Sequence, residues 1–134
     1  ALLGRWCHGR DEYQAFGYGC PYRLAANPDT LLSFDVSVVR RAHDGGPIEY
    51  PTFVDGVPVL GVEVIELDED PDLLQRMVGA ALRCGVGTVW LIDPVEEIVI
   101  VHRRGMPDLY VNGGMQLTCD DLPGFACPVA EIFE

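Results

Sequence analysis

Two acidic residues sit where strands leave little room for charge: Asp35 in "LLSFDVSVV" (31–39) and Glu63 in "VPVLGVEVIELDED" (57–70). In the first segment Phe34, Val36 and Val38 alternate with Ser33, Asp35 and Ser37, which is a period-two strand with one polar face. Alone, Asp35 reads as a solvated residue on that face. Glu63 is harder to place in water. Its immediate neighbours are Val62 and Val64, and Gly61 and Ile65 share its face. A carboxylate so surrounded costs free energy unless it is paired or holds a metal. If the two strands are adjacent, both acids face one side and their repulsion raises one pKa. A hard divalent cation relieves this. Mg2+, with Mn2+ as the alternative, needs only one or two carboxylates and keeps several waters. So held, it polarises a phosphodiester and lowers the pKa of a bound water. Asp35 and Glu63 are therefore the expected metal ligands and catalytic residues. Gly61 would leave room for a ligand beside Glu63. Glu66 opens the acidic exit that continues with Asp68, Glu69 and Asp70. It is placed to add a ligand, although a solvated role is the simpler one.

The elements that must position these acids follow from periodicity. Residues 1–13, with Leu2, Leu3, Trp6 and Tyr13, have loosely helical spacing. "FGYGCPYRL" suggests an early strand, and Asn27, Pro28 and Asp29 a turn. "RRAHDGGPIEYPTFVDGVP" reads as a long loop with a small element near Tyr50. "DPDLLQRMVGAALRCG" is the clearest helix, over about 71–84: Leu73, Leu74, Met77, Val78, Ala81 and Leu82 recur at three- and four-residue spacing. Asp70 is its expected N-cap, Pro71 its first residue and Gly85 its stop. The spacing turns 73, 77 and 81 toward the sheet. Strands at 60–66 and 88–93 flank the helix, which predicts a parallel pair joined by a right-handed crossover. "EEIVIVHRR" and "DLYVN" are further strands joined by short turns, hence antiparallel. Asn112–Gly113–Gly114 reads as a hairpin turn, and the chain ends in a short helical tail. The expected fold class is α/β: a mixed central β-sheet flanked by helices.

Length and charge bound the function. The 134 residues fit one domain, and 49% hydrophobic residues allow a core. No apolar run approaches the ~20 residues of a membrane span, so no membrane partner is expected. All nine basic residues are arginine, and the net charge is −12. Binding to nucleic acid is open but disfavoured by that charge, because phosphate contacts call for a basic face. A homodimer is also open. Five cysteines, an odd number without a CxxC pair, point to reduced thiols and a cytoplasmic protein. A zinc site from Cys7, His8, Cys119 and Cys127 matches no ligand spacing. His8, His43 and His102 lie on separate segments, and alternation turns His102 outward on its strand, as a surface residue. Cys84 lacks the electropositive setting of a reactive thiol. Asp93, before Pro94, reads as a turn cap, and Trp6 and Trp90 as core or interface residues.

Beyond these readings, "YRLAANPDTLLSFDVSVVRR", "VPVLGVEVIE", "CGVGTVWLIDP" and "LPGFACPVAEIF" resemble, in this order, the Uma-two family of restriction-endonuclease-like proteins. That family lies in the PD-(D/E)XK nuclease superfamily. The resemblance spans roughly residues 20 to 133 and leaves 1–19 as a remnant of the family's first helix. It implies one domain over 1–134 with a restriction-endonuclease-like core and Mg2+-dependent hydrolysis of nucleic-acid phosphodiesters. The family's strand aspartate falls on Asp35 and its strand glutamate on Glu63. Its lysine, on the following helix, falls on Met77, and this chain has no lysine at all. Arg76 is adjacent but turned about 100° away on an ideal helix, and arginine stays protonated and cannot act as a base. The family's Pro-Asp pairs and its Ser-Pro are replaced here by Phe34–Asp35, Pro58–Val59 and Glu66–Leu67. The implied endonuclease is thus expected to be impaired. The alternatives are a catalytically inactive nuclease-fold module for binding or dimerisation, and a metal-binding protein with no nucleic-acid role.

Overall fold

The computed structural model describes residues 2–17, 20–25, 30–41 and 54–134. Its main body is a six-stranded sheet in the order β1-β4-β6-β7-β8-β9. These strands are β1 (Tyr13–Phe16), β4 (Val36–Arg40), β6 (Leu60–Val64), β7 (Thr88–Asp93), β8 (Ile98–Arg103) and β9 (Leu109–Val111). β6 and β7 run parallel, with Glu63 opposite Leu91, and every other neighbouring pair is antiparallel. The mixed sheet expected from the sequence is present.

The crossover between β6 and β7 is α2 (Pro71–Arg83). Its start is fixed by Asp70, whose carboxylate accepts from the Asp72 N–H at 2.9 Å, followed by Pro71 at the first turn. Its end is Cys84, followed by Gly85 at φ +106°, a left-handed geometry that only glycine adopts cheaply. Leu74, Val78 and Ala81 form its buried stripe and Met77 is half-buried, whereas Leu73 is 58% exposed. Of the face expected at 73, 77 and 81, Met77 and Ala81 do turn inward, and only Leu73 does not, its place being taken by Leu74. The sequence carries apolar residues at both registers, and packing against the sheet selects one.

Each face of the sheet has its own core. Val38, Leu60, Val62, Trp90, Val99 and Val101 face one core, which is closed by Leu3 and Trp6 of α1 (Leu2–Cys7) and by Phe125 and Val129 near the C-terminus. That end holds a two-stranded antiparallel sheet, β10 (Gln116–Thr118) with β11 (Ala126–Pro128), and the helical tail α3 (Val129–Ile132). Leu74, Val78 and Ala81 of α2 pack on the other face with Val89, Leu91 and Phe34. This second face is also covered by a three-stranded sheet, β3 (Thr30–Phe34), β2 (Cys20–Ala25) and β5 (Val54–Asp55). There the Tyr22 hydroxyl meets buried Ser37 Oγ at 2.6 Å.

Several expectations change. The segment 31–39 is two strands, because the chain bends at Asp35 as it leaves the small sheet for the large one. The first helix ends at Cys7, and Tyr13 belongs to β1. Asn112–Gly113–Gly114 joins β9 to β10, but these pair with β8 and β11 rather than with each other. The expected turn at Asn27–Asp29, the element near Tyr50 and His43 lie outside the described residues. Asp93 caps its turn as expected, accepting from the N–H groups of Val95 and Glu96 at 3.0 and 3.1 Å. Trp6 and Trp90 are in the core, and Cys7, Cys84, Cys119 and Cys127 are free thiols. Among the described residues no helix is long and apolar enough to cross a membrane.

His102 is the clearest reversal: it is 4% exposed, not a surface residue. β8 lies inside the sheet with both faces covered, so alternation no longer separates core from solvent. A carboxylate can only accept, so His102 Nδ1–H donates to Asp108 Oδ1 at 2.9 Å and ties β8 to the turn before β9.

Gly61 is occupied space rather than room for a ligand. A Cβ there would lie 2.5 Å from the Phe34 ring. Gly61→Ala is predicted to destabilise the fold by about 1–3 kcal/mol through overpacking. In urea unfolding, Phe34→Leu should relieve part of that cost. Equal losses for Gly61→Ala in both backgrounds would show that the ring is not the obstacle.

Candidate active site

β4 and β6 run antiparallel with Val36 opposite Val62 and Ser37 opposite Gly61. Continuing the register by one residue sets Asp35 opposite Glu63. Side-chain alternation sends Ser37 and Gly61 toward the α2 side of the sheet, where Tyr22 and Phe34 meet them. Glu63, two residues further along β6, shares that side, and Asp35, at the bend just before β4, meets it through hydrogen bonds. The bend at Asp35 does not separate the acids. It brings the Asp35 main chain within reach of the Glu63 side chain.

The two acids are fixed reciprocally. The Asp35 N–H donates to Glu63 Oε1 at 3.0 Å, and the Val64 N–H donates to Asp35 Oδ2 at 2.8 Å. Each carboxylate thus spends one oxygen on the backbone of the opposite strand. The second oxygen of each has no hydrogen-bond partner among the described residues. These backbone donors could not be found from side-chain identity, because every non-proline residue carries the same N–H.

The electrostatics are dominated by burial and like charge. Glu63 is half-buried, and its pKa is raised from 4.5 to about 7. Desolvation is the largest cause, and the Asp35 charge is the next. The hydrogen bond from the Asp35 N–H opposes the rise, and Glu69 and then Glu66 add to it. Glu66 itself is exposed, while Glu69 reaches back so that its Oε2 accepts from the Glu66 N–H at 3.2 Å. Neither acid closes a three-ligand group with the pair, and no cluster of three or more metal-ligating side chains occurs among the described residues. Cys7, His8, Cys119 and Cys127 form no such cluster either. No arginine among the described residues is hydrogen-bonded or ion-paired to Asp35 or Glu63.

Met77, at the position where the resemblance expects a lysine, packs its side chain on the core beneath α2. It supplies no charge there. The donor set is consequently two hard oxygen ligands with no cation beside them. That chemistry fits an octahedral divalent cation completed by water and does not fit a soft metal.

Asp35, at the bend before β4, and Glu63, on neighbouring β6, thus meet at one end of a mixed sheet whose crossover helix is α2. The same fold occurs in a solved structure from Anabaena variabilis ATCC 29413, described as "a putative nuclease belonging to DUF820", with a TM-score of 0.78 and 18% sequence identity. The match covers 98% of this chain and 74% of that one. A family model, "Uma2: Putative restriction endonuclease", matches residues 1–130, and the chain belongs to that family. No curated protein matches it.

Because the folded pKa of Glu63 lies above its unfolded value, the fold binds more protons than the unfolded chain between about pH 4.5 and 7. Its contribution to stability is complete below pH 4.5 and is lost as pH rises through 7. Glu63→Gln keeps the acceptor for the Asp35 N–H and removes the charge. Above pH 7 it should be more stable than wild type by about 1 kcal/mol, the linkage value reduced by solvent screening of a half-exposed group. Near pH 4.5 the two should match. Urea unfolding at pH 4.5 and 8 measures this, and a gap independent of pH would contradict it.

Proposed function

We propose that the protein is a divalent-cation-dependent endonuclease of low activity, with Asp35 and Glu63 as its cation ligands. One observation carries the reading. Two carboxylates, at the bend before β4 and on neighbouring β6, accept from the N–H groups of Val64 and Asp35 respectively, and the second oxygen of each has no hydrogen-bond partner among the described residues. Membership of the Uma2 family supports a phosphodiester as the substrate. Bound there, Mg2+ or Mn2+ would supply Lewis acidity toward a phosphoryl oxygen and a more acidic water.

The chain's own residues have narrower tasks. The N–H groups of Asp35 and Val64 fix the two carboxylates before any ligand arrives, so little reorganisation is needed on binding. Glu63 must shed its proton to act as a full anionic ligand, so cation affinity should rise with pH through about 7. Met77 leaves negative charge developing on the phosphoryl group without a fixed cation. Absence of one such stabilising group typically costs about 10²–10³ in rate. The net charge of −12 adds repulsion toward a polyanion, which the cation would offset locally.

The second reading is a nuclease fold that binds but does not cleave, and the uncharged, half-buried Met77 favours it. The two separate in one experiment. Supercoiled plasmid with Mg2+ or Mn2+ at pH 8 should be nicked slowly by the wild type, and not by Asp35→Ala or Glu63→Ala. Met77→Lys should raise the rate by about 10-fold or more if the missing cation limits catalysis. Cation binding by calorimetry without nicking by either wild type or Met77→Lys would favour the binding module.

A further inference from the structure

The small sheet and the large one meet through a buried phenol. Tyr22 lies on β2, the central strand of the three-stranded sheet, between β3 and β5. Its hydroxyl shares a hydrogen bond of 2.6 Å with Ser37 Oγ on β4. Tyr22 is 0% exposed and Ser37 1%. Hydroxyl groups at that depth are kept where they are hydrogen-bonded. The ring alone would supply the packing. The hydroxyl adds a fixed distance between β2 and β4.

Two contacts of Tyr22 fall on either side of Asp35. Its ring packs on Phe34, the residue before Asp35, with centroids 6.4 Å apart. Its hydroxyl holds Ser37, two residues after Asp35. Both neighbours also meet β6 at one point: the Phe34 ring fills the space over Gly61, and Ser37 lies opposite Gly61 in the ladder. β3 ends at Phe34 and β4 begins at Val36, so Asp35 alone makes the bend. The N–H that donates to Glu63 Oε1 belongs to the peptide between Phe34 and Asp35. That peptide is planar, so its direction follows from where Phe34 and Ser37 are held.

We propose that Tyr22 is a positioning residue for the carboxylate pair: by holding Phe34 and Ser37 it sets the bend that aims the Asp35 N–H at Glu63 Oε1. Tyr22 acts through the backbone of Asp35. Its effect on cation binding rests on the reading of Asp35 and Glu63 as cation ligands, and its effect on the bend does not. Groups that orient metal ligands from behind typically change metal affinity by about 10–100-fold.

Amide hydrogen exchange by NMR in the cation-free protein and calorimetric titration with Mg2+ alone test the two effects separately. Tyr22→Phe keeps the ring and removes the hydrogen bond, and Ser37→Ala removes it from the other side. Each should speed exchange at the Asp35 amide by about 10-fold or more relative to the amides of Val89 and Leu91 in β7, which follow overall stability. Each should weaken Mg2+ binding by about 10-fold or more. The double variant should lose no more than either single one, because both remove the same bond. Thr88→Val, which removes the bond from Thr88 Oγ1 to Asp121 at the start of β7, should leave the Asp35 amide and Mg2+ binding as in the wild type. Three results would overturn the proposal: an Asp35 amide unaffected by both variants, equal loss of protection at Asp35, Val89 and Leu91, or the same effect from Thr88→Val. Mg2+ affinity unchanged by both variants would also overturn it. A wild type that binds neither Mg2+ nor Mn2+, with the Asp35 amide still released selectively by Tyr22→Phe, would uphold the role of Tyr22 and remove the cation-site reading instead.

Discussion

The candidate site depends on a reciprocal cross-strand lock, in which the Asp35 N–H holds Glu63 and the Val64 N–H holds Asp35. Two like charges at this spacing repel, and burial penalises the charged form of Glu63. The backbone donors compensate in part. The remaining penalty falls on Glu63, whose pKa rises to about 7. The same arrangement that costs stability leaves oxygen ligands oriented in advance.

The rest of the fold serves that lock. The parallel β6–α2–β7 unit fixes β6, since Glu63 lies opposite buried Leu91 and the helix covers the same side. Gly61 admits the Phe34 ring, and that contact seats the small sheet against the large one just before the bend at Asp35. A side chain at position 61 would push β3 away, and Asp35 with it. Packing and site geometry are thus linked through one glycine two residues from Glu63.

Much of this was legible in the sequence where local signals agreed. Asp70, Pro71 and Gly85 bound the helix, the apolar runs on either side imply a parallel pair, and Asp35 and Glu63 stand out by their neighbours. The bend at Asp35 was hidden, because alternation runs unbroken through residues 32–38 while the chain changes sheets. His102 misled for a related reason: period two reports which side a residue faces, but not whether that side is covered. The choice between Leu73 and Leu74 was undetermined, since paired apolar positions fit two helix registers. The placement of Gly61 against Phe34 needed the tertiary structure, because a vacancy and a close contact both select glycine.

The most direct measurement is the titration of the Glu63 side-chain carboxyl carbon by NMR, with and without Mg2+. The expected result is an apparent pKa near 7 in the cation-free protein that falls when Mg2+ is added, with Asp35→Asn abolishing the fall. A Glu63 that titrates near 4.5 and does not respond to Mg2+ or Mn2+ would contradict the carboxylate pair as a cation site.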